Sequence, residues 1–311
     1  MKKGVATLCF LLVLVGSFMA GAVYVKAQST DIYISSDGAV VGTDNIQRSG
    51  DLYVLTGNIS GSIAVQKSNI TIDGAGYTIE GYGGTGIDLS NNLTEYPSPN
   101  SIRNVTIENL RIMNFNFSID TRGSIGNTFY NNYIGNTTNN VQGGIYLYWG
   151  SDGNNITRCT IMGTVGIELS NGNTVTENNL LGGMFLRLCG NETVDRNYWS
   201  DYATRYPNAT EIGSSDIGNT PYVLSDIWPS ATKQPLNSDS DLGGVHQDNH
   251  PLIKQVAIPL TGSSPGSTIP EFPASIILPL LIAIFFIAVK FCYRNPKASR
   301  QPSEEMAKTS E

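Results

Sequence analysis

Gly166-Ile-Glu-Leu169 followed by Val175-Thr-Glu-Asn178-Asn-Leu180 decides the fold, because both units return at once. They reappear as Gly183-Met-Phe-Leu186 and Val194-Asp-Arg-Asn197-Tyr-Trp199. Working outward, the first unit also occurs at Gly86-Ile-Asp-Leu89 and Gly144-Ile-Tyr-Leu147. The second occurs at Phe129-Tyr-Asn-Asn132-Tyr-Ile134, and at Ile156-Thr-Arg-Cys159-Thr-Ile161 with Cys in the Asn place. Asn109 fits the series more loosely. The ladder positions 109, 132, 159, 178 and 197 are spaced by 23, 27, 19 and 19 residues. Apolar residues alternate with period two, and Gly and Asn end each short run, so helical repeats do not fit. The reading is all-β: a parallel β-helix, a solenoid of stacked coils. A flat β-sandwich is the alternative, but it needs no such register. The recurring Asn is expected to take left-handed turn geometry and to hydrogen-bond from coil to coil.

The same register bears on the cysteines. Cys9 and Cys292 lie near the ends, which leaves Cys159 and Cys189 in the body. They fall on different strands two coils apart, near 9.6 Å at about 4.8 Å per coil. A disulfide needs Cα atoms within about 7 Å. Two buried free thiols are predicted.

Residues 58–197 form the coils, 28–57 an N-terminal cap and 198–260 an irregular C-terminal cap, since a solenoid end exposes apolar core and unpaired strand edges. Residues 1–27 read as a signal peptide: Lys2 and Lys3, an apolar run from Leu8 to Val15, and a small residue, Ala27, before Gln28. Residues 261–271 are a Gly/Ser/Pro linker. Residues 272–293 read as a single transmembrane helix, and the basic residues of 294–311 (Arg294, Lys297, Arg300) place that tail in the cytoplasm. The body is therefore expected at the extracellular face of the cell membrane, anchored by its C-terminus.

Composition excludes further classes. The chain has 311 residues, 19 basic against 26 acidic side chains, 29 Asn and 2 His. Residues 28–269 carry 11 basic and 22 acidic side chains, a net −11. No basic stripe serves phosphates, so no nucleic-acid partner is expected. The same charge repels acidic polymers unless a cation bridges them.

Several stretches resemble a known family. They are Asn69-Ile-Thr-Ile-Asp-Gly-Ala-Gly-Tyr-Thr-Ile79, Gly86-Ile-Asp-Leu-Ser90, Asn104-Val-Thr-Ile-Glu-Asn-Leu-Arg-Ile112 and Asn197-Tyr-Trp-Ser-Asp-Tyr202. They resemble the NosD-like right-handed parallel β-helix proteins, archaeal cell-surface members in particular. Ile269-Pro-Glu-Phe-Pro273 before the apolar run is similar to a PEF-CTERM sorting signal. That likeness implies removal of the tail and attachment of a lipid. Eighteen residues follow Tyr293, more than the usual short basic end, so a plain membrane span is the alternative. The NosD-like resemblance implies copper delivery; the wider superfamily implies carbohydrate binding or cleavage.

Candidate sites follow from residue chemistry. Exposed aromatics stack on sugar rings, and Tyr146, Tyr148, Trp149, Trp199 and Tyr202 are the candidates. Tyr146 and Tyr148 share one strand face. Asn237, Asp239, Asp241 and Asp248 alternate as oxygen ligands for calcium, a partial match to a calcium loop. His246 and His250 are a weaker copper pair, lacking a soft Cys or Met neighbour in sequence. Nine Asn-x-Ser/Thr triplets occur, of which Asn92 and Asn208 are the best placed for glycosylation. Ile72-Asp-Gly-Ala-Gly76 resembles the opening of polygalacturonase-like chains, whose later Asp-Asp, Gly-His-Gly and Arg-x-Lys signatures are absent. Asp73, Asp88, Asp120 and Glu168 are expected to be solvated turn or outward residues. A compact cluster of charges on one coil face would favour an enzyme; scattered carboxylates favour a binding module. The expected function is binding or structural work at the cell envelope, with a surface polysaccharide or envelope glycoprotein as partner. Polysaccharide cleavage and copper delivery are the alternatives.

Overall fold

The structure, a computed structural model, describes residues 32–90, 100–135, 143–224 and 246–259. All lie in the unit Gln28–Ser264. The expected signal peptide, linker, membrane span and tail fall outside the described residues. Among the described residues no helix is long and apolar enough to cross a membrane.

Strands of two to four residues recur in three parallel sheets. Sheet A runs from Ile32–Ile34 through Ile63–Val65, Thr85–Asp88, Phe117–Asp120, Ile145–Tyr148 and Val165–Glu168 to Met184–Arg187. Sheet B runs from Leu52–Leu55 through Thr71–Asp73, Thr106–Glu108, Thr128–Tyr130, Asn155–Thr157 and Thr174–Thr176 to Thr193–Asp195. Sheet C runs from Ile59–Ser60 through Thr78–Glu80, Arg111–Met113, Tyr133–Gly135, Thr160–Ile161 and Asn179–Leu180 to Tyr198–Trp199. The chain visits B, C and A in turn, so each circuit lays one coil on the last. This is a parallel β-helix.

Register explains why these residues form these strands. In sheet B, Ile72, Ile107, Phe129, Ile156, Val175 and Val194 stack in one inward column. In sheet C, Ile79, Ile112, Ile134, Ile161, Leu180 and Trp199 do the same. All are buried. Each such side chain removed from water contributes roughly 1.5–3 kcal/mol. The outward neighbours in sheet B include Thr71, Thr106, Thr128, Thr174 and Thr193, β-branched residues that suit a half-buried pleated surface.

The ends are closed differently. Val40–Val41 and Ile46–Ser49 pair antiparallel with the first strands of sheets A and B and blunt those edges. Leu52–Leu55, inside the stretch expected as cap, already pairs in parallel with Thr71–Asp73. At the far end lie a one-turn helix, Tyr202–Arg205, and an antiparallel pair, Tyr222–Val223 with Gln247–Asp248. Residues 252–259 then run back along the coils: the side-chain amides of Asn179 and Asn131 donate to the carbonyls of Val256 and Pro259.

Two corners are zipped by buried side-chain amides. At the B–C corner, Asn132 Oδ1 accepts the N–H of Leu110 (3.0 Å) and Asn178 Oδ1 that of Cys159 (2.8 Å). Asn197 Oδ1 accepts the N–H of Asn178 (3.1 Å). Each satisfies a corner N–H that no sheet partner reaches. At the A–B corner, Asn127, Asn154 and Asn173 do the same for Val105, Asn127 and Asn154. The left-handed residue is not the ladder Asn, as expected from sequence, but the one before it: Asn131, Arg158, Glu177 and Arg196 have φ of 53°, 53°, 57° and 58°. Asn109 is of that kind too (φ 53°), which is why it fits loosely; the ladder place in its coil is Leu110.

Cys159 and Cys189 are buried and free, as predicted. Cys159 sits inside the B–C ladder, where burial pushes its thiol up to about 12.

Candidate functional site

The outer face of sheet A gathers what the sequence scatters. Pleat alternation sends Ile119, Ile145, Leu147 and Ile167 inward and their neighbours outward. One outward row is Asp88, Asp120, Tyr146, Gly166 and Phe185 on successive coils. A second row contains Tyr148, Glu168 and Arg187. Arg122 belongs to it one coil earlier, since the N–H of Gly123 donates to Tyr148 O (3.1 Å) and the guanidinium lies 5.7 Å from the Tyr148 ring centroid.

Tyr146 is the hub. Its ring stacks on Tyr148 (5.4 Å, 7° between planes) and on Phe117 (5.8 Å), and tilts over Phe185 (6.3 Å). Gly166 makes this closure possible. A Cβ there would come within 2.5 Å of Phe185 and 2.8 Å of Tyr146. The repeated Gly of the Gly-apolar-x-Leu unit thus serves, in this coil, to let two rings meet. Tyr148 meets Trp149 edge-on at 6.0 Å, and Trp149 is 51% exposed.

The polar groups interlock beneath. Tyr146 donates its hydroxyl to Glu168 Oε2 (2.8 Å), and Arg187 Nη1 donates to Glu168 Oε1 (2.8 Å). Burial, reinforced by Glu168, pushes the Tyr146 hydroxyl well above its ordinary range, so it stays a donor. Asp120 Oδ1 accepts the N–H of Arg122, whose guanidinium lies 3.5 Å from Oδ2. Burial raises the Asp120 carboxyl against the lowering by Arg122, and the Asp88 charge on the next coil raises it further. The expectation of solvated carboxylates therefore fails for Asp120 and Glu168. Both are buried, Glu168 between the Tyr146 hydroxyl and the Arg187 guanidinium and Asp120 beside Arg122.

The cap aromatics tell the opposite story. Trp199 and Tyr202 are buried, which corrects their reading as exposed stacking surfaces. Trp199 lies on Tyr222 (4.0 Å, 6°) and donates to Asp248 Oδ2 (3.0 Å); Tyr202 donates to Thr220 O (2.7 Å). They close the end of the core. Tyr146 is likewise mostly covered, which leaves Tyr148 and Trp149 as the accessible faces.

The metal expectations fare no better where they can be seen. Asn237, Asp239 and Asp241 lie outside the described residues. Asp248 is fully buried and spends both oxygens on the fold, accepting from the N–H groups of Arg196, Asn197 and His250 and from Trp199. It is no free calcium ligand. His250 Nδ1 lies 2.8 Å from Asp195 Oδ1. Among the described residues no group of three or more His, Cys, Asp or Glu is placed to hold a metal ion. Asn208 is exposed just beyond the helix Tyr202–Arg205; Asn92 lies outside the described residues.

Comparison with known protein families, with characterised proteins and with solved structures finds no match to this chain. The NosD-like resemblance rests on the stretches quoted above.

Proposed function

We propose that this solenoid binds glycan on the outer face of sheet A, and that its apolar C-terminal run holds it at the outside of the cell membrane. The coil is taken as right-handed, as parallel crossovers almost always are, in keeping with the NosD-like resemblance. One observation carries the functional reading. Tyr148 and Trp149 present accessible aromatic surface beside the exposed Arg122 and Arg187, on the outer face of sheet A and at its edge. Sugars offer apolar C–H faces to rings and hydroxyl edges to charged hydrogen-bonding groups. A face already braced from beneath by Tyr146 loses little freedom on binding. The test is a glycan array probed with the full chain in detergent. Binding that Trp149→Ala abolishes supports the reading; array-wide silence removes it.

A second reading is favoured by one pair. Asp88 and Asp120 are in register on neighbouring coils, and Asp120 holds its proton more tightly than an ordinary Asp. Two neighbouring carboxyl groups in unlike surroundings are the equipment of glycoside cleavage. Shortening of a bound glycan, lost in Asp120→Asn, would establish it.

A further inference from the structure

Resting on the glycan reading, we propose that the ligand is a linear polysaccharide lying parallel to the solenoid axis, engaged over at least three consecutive coils. The observation is a ridge that begins at Trp149 and continues through two residues the site above does not use, Leu169 and Leu188. Trp149, Leu169 and Leu188 each follow the last outward residue of sheet A on successive coils: Tyr148, Glu168 and Arg187. Backbone bonds join the three corners: Trp149 N–H to Glu168 O (3.1 Å), Gly150 N–H to Leu169 O (2.8 Å) and Leu169 N–H to Arg187 O (3.0 Å). Their φ values are 49°, 52° and 51°.

That backbone region disfavours side chains with a Cβ; Gly or Asn is its usual occupant. One coil earlier the same corner holds Gly123, at φ 70°. A Leu placed there for packing would be buried. These are not: Trp149, Leu169 and Leu188 are 51%, 40% and 39% exposed. The chain thus holds three large apolar side chains in an unfavoured conformation facing solvent, beside the charged row. The B–C corner holds Arg158, Glu177 and Arg196 in the same backbone region, so what sets this corner apart is that its occupants are large, apolar and exposed.

Repetition identifies the occupant. Ridge and row both advance one step per coil, about 4.8 Å along the axis. The ridge is apolar, whereas the row (Arg122, Tyr148, Glu168, Arg187) is charged and aromatic. A polysaccharide chain has the same two-sided character, with C–H faces and hydroxyl edges repeated at every unit. A single sugar would use one step of this surface; a chain laid along the axis uses all of them.

The experiment is a length series. The full chain in detergent is titrated with linear oligomers, β-1,4-linked glucose and N-acetylglucosamine and α-1,4-linked galacturonate, from one unit to six. For the oligomer that binds, affinity is expected to rise about tenfold or more between two and four units, as further contacts join. Leu169→Asn and Leu188→Asn suit the backbone, so their melting temperatures are unchanged or raised, yet they remove the length gain. Trp149→Ala weakens every length. Binding sensitive to Trp149→Ala but indifferent to length overturns the axial polymer and leaves the glycan reading standing. So does a length gain that survives both Leu→Asn changes. Dimerisation lost in those variants, with no response to oligomer length, assigns the ridge to a second copy and overturns the proposal. Silence toward every oligomer removes both readings.

Discussion

Asp248 accepts the backbone N–H of Asn197 at 2.8 Å, taking the place that Asn197 itself holds toward Asn178 one coil earlier. The antiparallel pair of the C-terminal cap thus supplies the next rung of a ladder whose repeats have ended. The other ladder ends the same way, with Glu192 Oε2 accepting the N–H of Asn173 at 2.7 Å. Each zipped corner closes on a carboxylate.

Removing the first end-stop should unfasten the cap. Asp248→Ala leaves the N–H groups of Arg196, Asn197 and His250 and the Trp199 indole without their acceptor. A loss of about 3 kcal/mol is expected in a denaturant titration. Asp248→Asn keeps one carbonyl oxygen and loses less. Equal stability of Asp248→Ala and wild type would contradict the end-stop role.

The second end-stop makes stability depend on pH. Burial pushes Glu192 up to about 7, above its unfolded value of roughly 4.3. The folded state therefore holds this proton more tightly. Its contribution is fully present below the unfolded value and is lost as pH rises through about 7. After discounting for solvent screening, roughly 1–2 kcal/mol is at stake. Glu192→Gln keeps an acceptor for Asn173 and carries no charge. Its melting temperature, compared with wild type between pH 4 and pH 8, should gain ground as pH rises; a constant difference would speak against the assignment.

Cys159 is the defect in the B–C ladder. It offers sulfur to Asn132 at 4.0 Å where other coils offer an amide oxygen. Cys159→Asn restores the rung and should add about 1 kcal/mol. The native thiol, buried and held protonated, should resist alkylation until the protein unfolds.

Gly166 has no room to grow. Gly166→Ala drives a methyl between Tyr146 and Phe185 and should cost about 1–3 kcal/mol, with the site's aromatic stack disturbed. A near-ultraviolet circular dichroism spectrum unchanged from wild type would show that the rings do not close there.

The coil register was legible because it repeats: Ile156, Val175 and Val194 stand at fixed spacing and stack as their pattern requires. The second ladder could have been read too, since Asn127, Asn154, Asn173 and Glu192 each stand five residues before Asn132, Cys159, Asn178 and Asn197. Its last member, Glu192, is not Asn, which hides the series. Asp248 was illegible as a ladder residue because it stands 51 residues from the Asn197 it meets, and nothing local distinguishes it from a calcium ligand. Trp199 and Tyr202 look like Tyr148 and Trp149 in sequence; only the cap folding over them separates core from surface. Glu168 and Arg187 meet because 19 residues make one coil there, a relation between coils rather than within a motif.

The most direct test of the account compares glycan affinity of the full chain with that of Trp149→Ala, with Trp199→Phe as the control for the buried indole. The account predicts binding by wild type and by the folded control, and a loss of at least about tenfold in Trp149→Ala. Undiminished binding in Trp149→Ala would contradict the assignment of the sheet A face.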